Sequence, residues 1–426
     1  MSGLLFSYYG DDFTGSTDAL EALAANGVPS VLFLDPPDER AIARFGDCRA
    51  VGVAGESRSR DPEWMSENLP DIFRSLQGLG APVCQYKVCS TFDSSPQRGS
   101  IGRALEIGQQ VFGNRYVPIV VAAPHLGRYV LFGNLFAVGD GAIHRIDRHP
   151  TMRRHPVTPM VESDLRLHLA LQTDRRIALL DILALHGTDP DARLDQLLGA
   201  GPDAVLFDGL DRSSLLATGR LLWTHNPAPQ TFAVGSSGLT YALIEHWRSA
   251  GMIPADPTPG DLKPVDRLIV ISGSCAPATE GQIRCAIGAG FLGIRIDLAE
   301  PEQALGDGLA ALCEGRSIAL YTALGPKDFA GALDGEQLGC RLGILLRNLL
   351  LRSGVRRAVI AGGDTSTHAV RQLGIHALTY AAALAPGVPL CSGHSTDPAM
   401  DGLELALKGG QVGAENFFEM ALRGKR

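Results

Sequence analysis

Short apolar runs alternate along the chain with segments in which apolar residues recur at helical spacing. The first two runs, Leu4–Tyr8 and Val28–Leu34, flank a helical pattern at Thr17–Asn26 that stops at Gly27, a plausible helix C-cap. Strands that alternate with helices favour an α/β fold with a mainly parallel sheet. Further strand-like runs in this half of the chain are 50–54, 83–88 and 117–122.

A proline-rich stretch separates this series from a second one. Residues 251–266 hold four prolines among few apolar residues, which predicts an extended and semi-rigid linker. The sequence therefore predicts two domains, 1–255 and 256–426, each a mainly parallel sheet flanked by helices, with the polar region 150–180 as an excursion within the first. After the linker the alternation restarts, with segments at 267–271, 279–288, 293–298, 317–321 and 357–361.

Composition narrows the class of protein. Of 426 residues, 45% are hydrophobic and 20% are charged, which is enough apolar material for a sizeable core. The formal charge is −8 and no stretch concentrates Lys and Arg, so a nucleic-acid surface is not expected. The sequence shows no leader pattern and no membrane span, and its eight cysteines are scattered without a CxxC pair. These features predict a cytoplasmic protein that handles small molecules.

In the N-terminal half, chemistry-bearing residues follow the predicted strands, where ligands bind in open α/β sheets. Asp11 and Asp12 come after the first strand, between Gly10 and Gly15. Adjacent carboxylates could bind sugar hydroxyls, hold Mg²⁺ or remove a hydroxyl proton, and helix capping is the alternative. The remaining candidates are cationic or polar and suit an anionic ligand, although a surface arginine or a structural histidine is the competing interpretation: Arg58, Lys87, Ser90, Thr91, His125 and Arg128.

Glycine-rich turns in the C-terminal half predict a phosphate cradle. The segment GGDTST, residues 362–367, joins a strand to a helix, so that free amides and the positive end of the helix dipole face a ligand. An N-capped helix with a tight entry is the alternative. Near the end of the chain, KGGQVG places a lysine beside closely approachable backbone. The expected nucleotide-binding residues are Ser272, Gly273, Ser274, Gly362, Gly363, Asp364, Thr365, Ser366, Lys408, Gly409 and Gly410.

Familiar motifs of other enzyme classes are missing or misplaced. The chain has no GxxxxGK[ST], no HExxH and no GxSxG. A GxGxxG occurs at 288–293, but it follows a predicted helix and precedes a predicted strand, the reverse of a dinucleotide fingerprint. It is interpreted as a helix C-cap and turn.

The order of these motifs resembles the four-carbon acid sugar kinase family along nearly the whole chain. The resemblance implies an N-terminal sugar-acid-binding domain, a C-terminal nucleotide-binding domain and a ligand site in the cleft between them. It also implies phosphorylation, by ATP with Mg²⁺, of the terminal hydroxyl of an acid such as threonate, erythronate or 3-oxo-tetronate. The motifs that carry it are GDDFTG at 10–15, Ser-Arg-Ser at 57–59, Lys-x-x-Ser-Thr at 87–91, Gly-Arg at 127–128, GGDTS at 362–366 and KGGQVG at 408–413.

We expect Asp12 to orient or deprotonate the acceptor hydroxyl and Asp11 to support the loop or a metal ion. Arg58, Lys87 and Arg128 are expected to hold the substrate carboxylate.

One position departs from the family pattern, since members often carry Lys-x-Asp-Ser-Thr and Cys89 stands here in place of that Asp. Asp93 is the nearest replacement. The departure leaves open a non-catalytic sugar-acid-binding regulator, and a dehydrogenase with an unorthodox dinucleotide site is a further alternative. The stereoisomer, the metal ligands and the oligomeric state do not follow from the sequence, with which a homo-oligomer is compatible.

Overall fold

The computed structural model describes residues 3–155, 157–225, 229–257, 260–328 and 335–424. The chain divides into two compact units, one formed by residues 1–30 and 36–257 and the other by residues 31–35 and 258–426. The second unit therefore includes residues 31–35, which the predicted limits 1–255 and 256–426 assign to the first domain. None of the helices in the described ranges is both long and apolar enough to cross a membrane.

The strands are numbered in chain order. They are β1 (Phe6–Gly10), β2 (Ser30–Phe33), β3 (Ala50–Ala54), β4 (Val83–Lys87), β5 (Val117–Val120), β6 (Arg128–Leu131), β7 (Asn134–Gly139), β8 (Ala142–Arg145), β9 (Ile177–Leu180), β10 (Ala204–Phe207), β11 (Thr231–Gly235), β12 (Ile269–Ser272), β13 (Leu292–Arg295), β14 (Ile318–Tyr321), β15 (Arg357–Ala361), β16 (Ile375–Ala385), β17 (Val388–Ser395) and β18 (Glu404–Lys408).

The helices alternate with these strands. They are α1 (Phe13–Ala24), α2 (Glu39–Ala43), α3 (Pro62–Gly78), α4 (Ile101–Phe112), α5 (Leu165–Ala170), α6 (Ile182–Leu185), α7 (Pro190–Gly199), α8 (Arg212–Thr224), α9 (Ser237–Ser249), α10 (Pro277–Gly288), α11 (Pro301–Cys313), α12 (Gly335–Ser353), α13 (Gly363–Arg371) and α14 (Phe417–Arg423). Short 3-10 helices lie at Ser57–Ser59, Pro124–Leu126, Ile146–Arg148, Met152–Arg154 and Pro326–Asp328.

The first unit is built on a parallel sheet in the order β3-β1-β4-β11-β5-β10-β9. Its core packs apolar strand residues against helices, and Phe73 of α3 contacts both Tyr86 of β4 and Phe232 of β11. A separate antiparallel sheet, β6-β7-β8, follows β5. The α/β class predicted for this half is confirmed. The polar region predicted as an excursion at 150–180 contains the 3-10 helix Met152–Arg154, helix α5 and strand β9.

The second unit has parallel strands in the order β13-β14-β12-β15-β18, continued by the antiparallel strands β17, β16 and β2. Residues 31–33 reach this unit by pairing with 377–379 of β16. A second core, which includes Val270, Val359, Phe417 and Phe418, lies within it. Each unit therefore buries its own apolar faces, which is what makes it a compact body.

Two helices begin at residues other than those predicted from the sequence. Helix α1 begins at Phe13, four residues before the predicted start, because the Asp12 side chain caps it. The last helix begins at Phe417 and not at 414. The GxGxxG segment is a turn as predicted, since α10 ends at Gly288 and β13 begins at Leu292. The predicted linker carries no helix or strand in its described part, and residues 258 and 259 lie outside the described ranges.

Candidate functional site

The loops after β1, β3 and β4 lie side by side at the carboxyl edge of the first sheet. Gly10 pairs with both Ala54 and Lys87, so these three strands end at the same level. Backbone hydrogen bonds then join the loops themselves. The Asp11 amide donates to the Lys87 carbonyl at 2.9 Å, and the Arg58 amide donates to the Asp11 carbonyl at 3.0 Å.

Arg58 and the two adjacent aspartates form a partly buried ion cluster. The Arg58 guanidinium donates two hydrogen bonds to the Asp11 carboxylate, from Nε at 3.1 Å and from Nη2 at 2.8 Å. Its Nη1 donates to the Asp12 carboxylate at 2.6 Å. Asp11 is only 4% exposed. Burial raises the pKa of Asp11 to about 6, although Arg58 opposes this shift. Burial disfavours the charged guanidinium as well, but the two carboxylates outweigh it and hold the pKa of Arg58 above its ordinary value.

Asp12 has a structural role in addition to its ion pair. Its carboxylate accepts the Gly15 amide at 2.6 Å and the Thr14 hydroxyl at 3.1 Å, which caps helix α1. The capping interpretation is therefore correct for Asp12, and its bond to Arg58 adds a second role. A Cβ at Gly15 would lie 2.4 Å from Asp12 Oδ1 and 2.8 Å from Lys87 Nζ, so glycine provides the space in which these groups meet.

Lys87 ends β4 and is 3% exposed. Its ammonium lies 3.0 Å from Asp18 of helix α1. Burial lowers the pKa of Lys87, but Asp18 and the neighbouring acids outweigh this effect and raise it. Asp18 was not among the residues predicted from the sequence. Asp18 lies in the second turn of α1, the helix that Asp12 caps, so its place near the acidic loop depends on where this helix begins.

The loop after β4 arranges hydroxyls around Asp93. Thr91 donates to Asp93, and Thr158 donates to the other carboxylate oxygen at 3.3 Å. Burial raises the pKa of Asp93, but Arg58 and the Thr91 bond outweigh burial and lower it. Phe92 stands between these residues with φ of 57° although it is fully buried, a strained conformation for a bulky residue. Asp93 thus belongs to the surroundings of the cluster through its charge.

Two neighbours of Asp93 in this loop have less defined roles. Burial raises the pKa of the Cys89 thiol, whose sulfur lies 2.9 Å from the Thr91 hydroxyl oxygen. This fits the inert buried thiol better than a nucleophile. Ser90 lies in the turn that leaves β4 and is half-buried.

His125 and Arg128 are held by their own surroundings. The His125 ring packs on Tyr241 of α9 with centroids 4.0 Å apart, and burial lowers the pKa of this histidine. Arg128 Nη1 donates to the carbonyls of Leu126 and Gly127 at 2.8 and 3.3 Å. Its buried Nε has no hydrogen-bond partner among the described residues. The structure does not pair either residue with Asp11 or Asp12, and their roles toward a substrate stay predictions.

In the second unit the predicted phosphate residues also share one row of strand ends. Ser272 pairs with Ala361, and Ala361 pairs with Lys408, so the loops after β12, β15 and β18 are adjacent. The loops approach closely through their glycines. A Cβ at Gly273 would lie 2.3 Å from Thr365 Oγ1, and a Cβ at Gly410 would lie 2.6 Å from Ser274 Oγ.

The entry to α13 has the backbone of an anion site. Gly362 has φ of 124°, which a residue with a side chain rarely adopts, and a Cβ at Gly363 would meet no atom within 4 Å. This open position lies at the first turn of the helix, where free amides and the helix dipole favour negative charge. Thr365 and Ser366 are buried behind it, whereas the Asp364 side chain is outside the described part of the structure. These features fit a phosphate group.

Lys408 is fully buried beneath the neighbouring loop. Its ammonium donates to Thr279 at 3.1 Å and to the carbonyls of Gly409 and Gly410 at 2.9 and 3.3 Å. Burial lowers the pKa of this lysine to about 8. Gln282 of α10 fixes the rest of the loop, because its amide donates to three successive carbonyls, at 412–414. Thr279 and Gln282 were not identified from the sequence, since their partners lie far away in the chain.

No resident metal centre is apparent in the described residues, where no three His, Cys, Asp or Glu side chains are grouped as ligands. A magnesium ion that arrives with a nucleotide needs few protein ligands, because it keeps several waters and binds phosphate oxygens.

Two family models match the chain, one in each half. The sugar-binding N-terminal domain matches residues 6–243, and the nucleotide-binding C-terminal domain matches residues 269–418. The first match alone covers more than half of the chain.

Relatives and solved structures agree with these matches over the full length. A Paraburkholderia graminis protein described as 3-oxo-isoapionate kinase is 47% identical, covering 100% of this chain and 95% of the relative. A Cupriavidus necator protein described as 3-oxo-tetronate kinase is 32% identical, covering 97% and 95%. The crystal structure of a Salmonella typhimurium LT2 protein, provisionally described as a tRNA synthase, has a TM-score of 0.80 and 25% identity over 100% of both chains.

Proposed function

We propose that this chain, which belongs to the four-carbon acid sugar kinase family, transfers the γ-phosphoryl group of ATP to a hydroxyl group of a 3-oxo sugar acid. The chain is a sugar-acid kinase with a nucleotide-binding domain, and it uses ATP. The relative at 47% identity favours an acid of the 3-oxo-isoapionate type, ahead of the 3-oxo-tetronate type of the 32% relative. The relatives are described as kinases, which favours neither the regulator nor the dehydrogenase.

One observation carries the assignment of the acceptor site, namely the partly buried cluster of Arg58 with Asp11 and Asp12 at the end of β1. A cluster that mixes two carboxylates with a guanidinium can orient a hydroxyl and an acid group of one small molecule. Each Arg58 terminal nitrogen donates one hydrogen bond to an aspartate and has a second N–H for a substrate oxygen. Lys87, paired with Asp18, adds a second cation at the adjacent strand end.

Asp12 is the base of the proposed reaction. The acceptor hydroxyl gives its proton to the Asp12 carboxylate, its oxygen forms a bond to the γ-phosphorus, and the bond from that phosphorus to ADP breaks. Charge builds on the phosphoryl oxygens, so catalysis consists mainly of positioning and of cationic groups near those oxygens. Asp11, which accepts two hydrogen bonds from Arg58, keeps the loop and the guanidinium in place.

The second unit holds the phosphates of ATP in this proposal. The amides of Gly363 and Gly410 are placed to face the phosphate oxygens, because the Gly362 amide already donates to the Lys408 carbonyl at 2.8 Å and the Ser274 amide to the Ser272 hydroxyl at 3.2 Å. A Mg²⁺ ion bound to the phosphate oxygens would neutralise part of their charge. Lys408 supports the loop from below and adds positive potential.

The test measures ADP release with ATP and Mg²⁺ for each of a series of 3-oxo sugar acids, using wild type and Asp12→Asn. Removing a base lowers turnover by about 10²–10⁴-fold, and asparagine still caps a helix. The matched control is Asp38→Asn, because Asp38 caps the exposed helix α2 in the same way, accepting the Ala41 amide at 2.7 Å. Normal turnover in Asp12→Asn would show that the base lies elsewhere, with Asp93 as the next candidate.

A further inference from the structure

A cavity of about 360 Å³ lies within the second unit, apart from the glycine loops. It opens between the segment after β13, the first turn of α11 and the middle of α12. Its size is at the lower end of the range for small-molecule sites, which suits one flat ring system better than a whole cofactor. Its apolar wall consists of Ile296, Leu298, Pro301, Leu305, Leu342 and Leu345.

This cavity lies on the same row of strand ends as the phosphate loops. Arg295 pairs with Tyr321, and Tyr321 pairs with Ser272, so the end of β13 is two strands away from the loop after β12. Two strand spacings are about 10 Å. Leu342 of the cavity wall also borders the loop after β12, because a Cβ added at Gly273 would lie 3.2 Å from Leu342 Cδ1.

The wall of the cavity includes a polar edge. Asn348, one helical turn beyond Ile344, contributes an amide that makes no hydrogen bond to another described residue, and it is half-buried. A carboxamide can donate and accept at once, which matches the amino group and ring nitrogen of an adenine edge. Arg341, a third polar member of the wall beside Glu302, donates to the Leu298 carbonyl at 3.3 Å and so braces the segment after β13.

We propose that this cavity binds the adenine base of ATP, with Asn348 reading the edge of the base and the apolar wall covering its faces. The proposal deepens the proposed function and rests on it, since it places the base of the same nucleotide whose phosphates lie at the glycine loops. The ribose then spans the interval marked by Leu342 and Gly273.

The test compares two ligands by isothermal titration calorimetry, ADP and inorganic tripolyphosphate, which lacks a base. Ile344→Trp puts an indole into the cavity from a residue that is 52% exposed, and the matched control Leu351→Trp adds the same ring two turns along α12, at a residue 44% exposed and outside the wall. Ile344→Trp should weaken ADP by at least about tenfold and leave tripolyphosphate within about twofold, because only the base is displaced. Leu351→Trp should change neither.

Asn348→Leu is a second variant, in which the new side chain is nearly equal in size to asparagine. It tests the proposal if Ile344→Trp does not fold. It should lower the preference for ADP over GDP by about fivefold or more, the value of one lost two-bond contact to a base. Unchanged ADP binding in both folded variants would overturn the proposal, as would equal weakening of ADP and tripolyphosphate. If wild type binds ADP and the variants bind it with the same affinity, only the assignment of the base site is wrong. If wild type neither binds ADP nor phosphorylates a sugar acid, the proposed function itself fails.

Discussion

Replacing Arg58 by methionine tests whether the ion cluster is as tightly coupled as its geometry indicates. Methionine keeps much of the apolar stem but removes three hydrogen bonds to carboxylates, at 3.1, 2.8 and 2.6 Å. Asp11, which is 4% exposed, is left without its counter-charge. Removing one partner of a buried ion pair costs about 3–5 kcal/mol. The Arg58 side chain is 27% exposed, so we expect a smaller loss in the free energy of unfolding, about 2–4 kcal/mol.

Arg60 provides the matched control. It is two residues further along and pairs with Glu56 at 3.1 Å, with both side chains partly exposed. Surface pairs of this kind contribute about 0–1 kcal/mol, so Arg60→Met should have little effect. Urea unfolding, followed by circular dichroism, gives the free energies for both variants.

A double-mutant cycle isolates the pairing itself. Asp11→Asn removes the charge that Arg58 neutralises, so in the Arg58→Met background it should cost much less than in wild type. We expect a coupling energy of about 1–3 kcal/mol, the range for groups in one network. The reasoning would be refuted if Arg58→Met cost no more than Arg60→Met, or if the effects of Arg58→Met and Asp11→Asn simply added.

Three further predictions concern pH and the glycine loops. Because burial raises the pKa of Asp11 to about 6, the carboxyl gains a proton below that pH and loses its ion pair, so kcat/KM should fall as the pH falls through about 6, and Asp11→Asn should lack this limb of the profile. Because burial lowers the pKa of Lys408 to about 8, its ammonium loses a proton above that pH; calorimetry should show ADP affinity falling between pH 7 and 9 in wild type and staying flat, at a lower level, in Lys408→Met. Gly362→Ala should lower the free energy of unfolding in urea by about 1–2 kcal/mol, because the φ of Gly362 is 124°. Gly363→Ala should fold normally and lose ADP affinity, because its added Cβ enters the open position assigned to a phosphate. Unchanged ADP affinity in Gly363→Ala would show that no phosphate binds there.

The sequence was sufficient where structure depends on local pattern. The strands 50–54 and 357–361 are short and mostly apolar, and the bounds predicted for both agree with the structure to the residue. The strands β16 and β17 were not predicted, because small and polar residues interrupt their apolar pattern. That residues 31–35 join the second unit depends on pairing with a strand some 340 residues away, which no local pattern encodes.

The candidate site shows the same division. That Asp11, Arg58 and Lys87 follow neighbouring strands could be inferred from the rule for parallel sheets. The partner of each charge could not, because ion pairing depends on side-chain direction across separate loops. Arg58 turned out to face the chain's own carboxylates, and Lys87 to face Asp18 on α1. For Asp12, both capping and ion pairing apply, so the two interpretations of an acid at a strand end do not exclude each other.

Product analysis is the most direct test of phosphoryl transfer to a 3-oxo sugar acid. The wild-type protein is incubated with ATP, Mg²⁺ and 3-oxo-isoapionate, and the reaction is followed by phosphorus NMR with mass spectrometry of the acid. We predict that one ADP and one phosphate monoester of the acid form for each ATP consumed. Release of inorganic phosphate with an unchanged acid, or ATP left intact with every acid of the isoapionate and tetronate series, would contradict the proposed reaction.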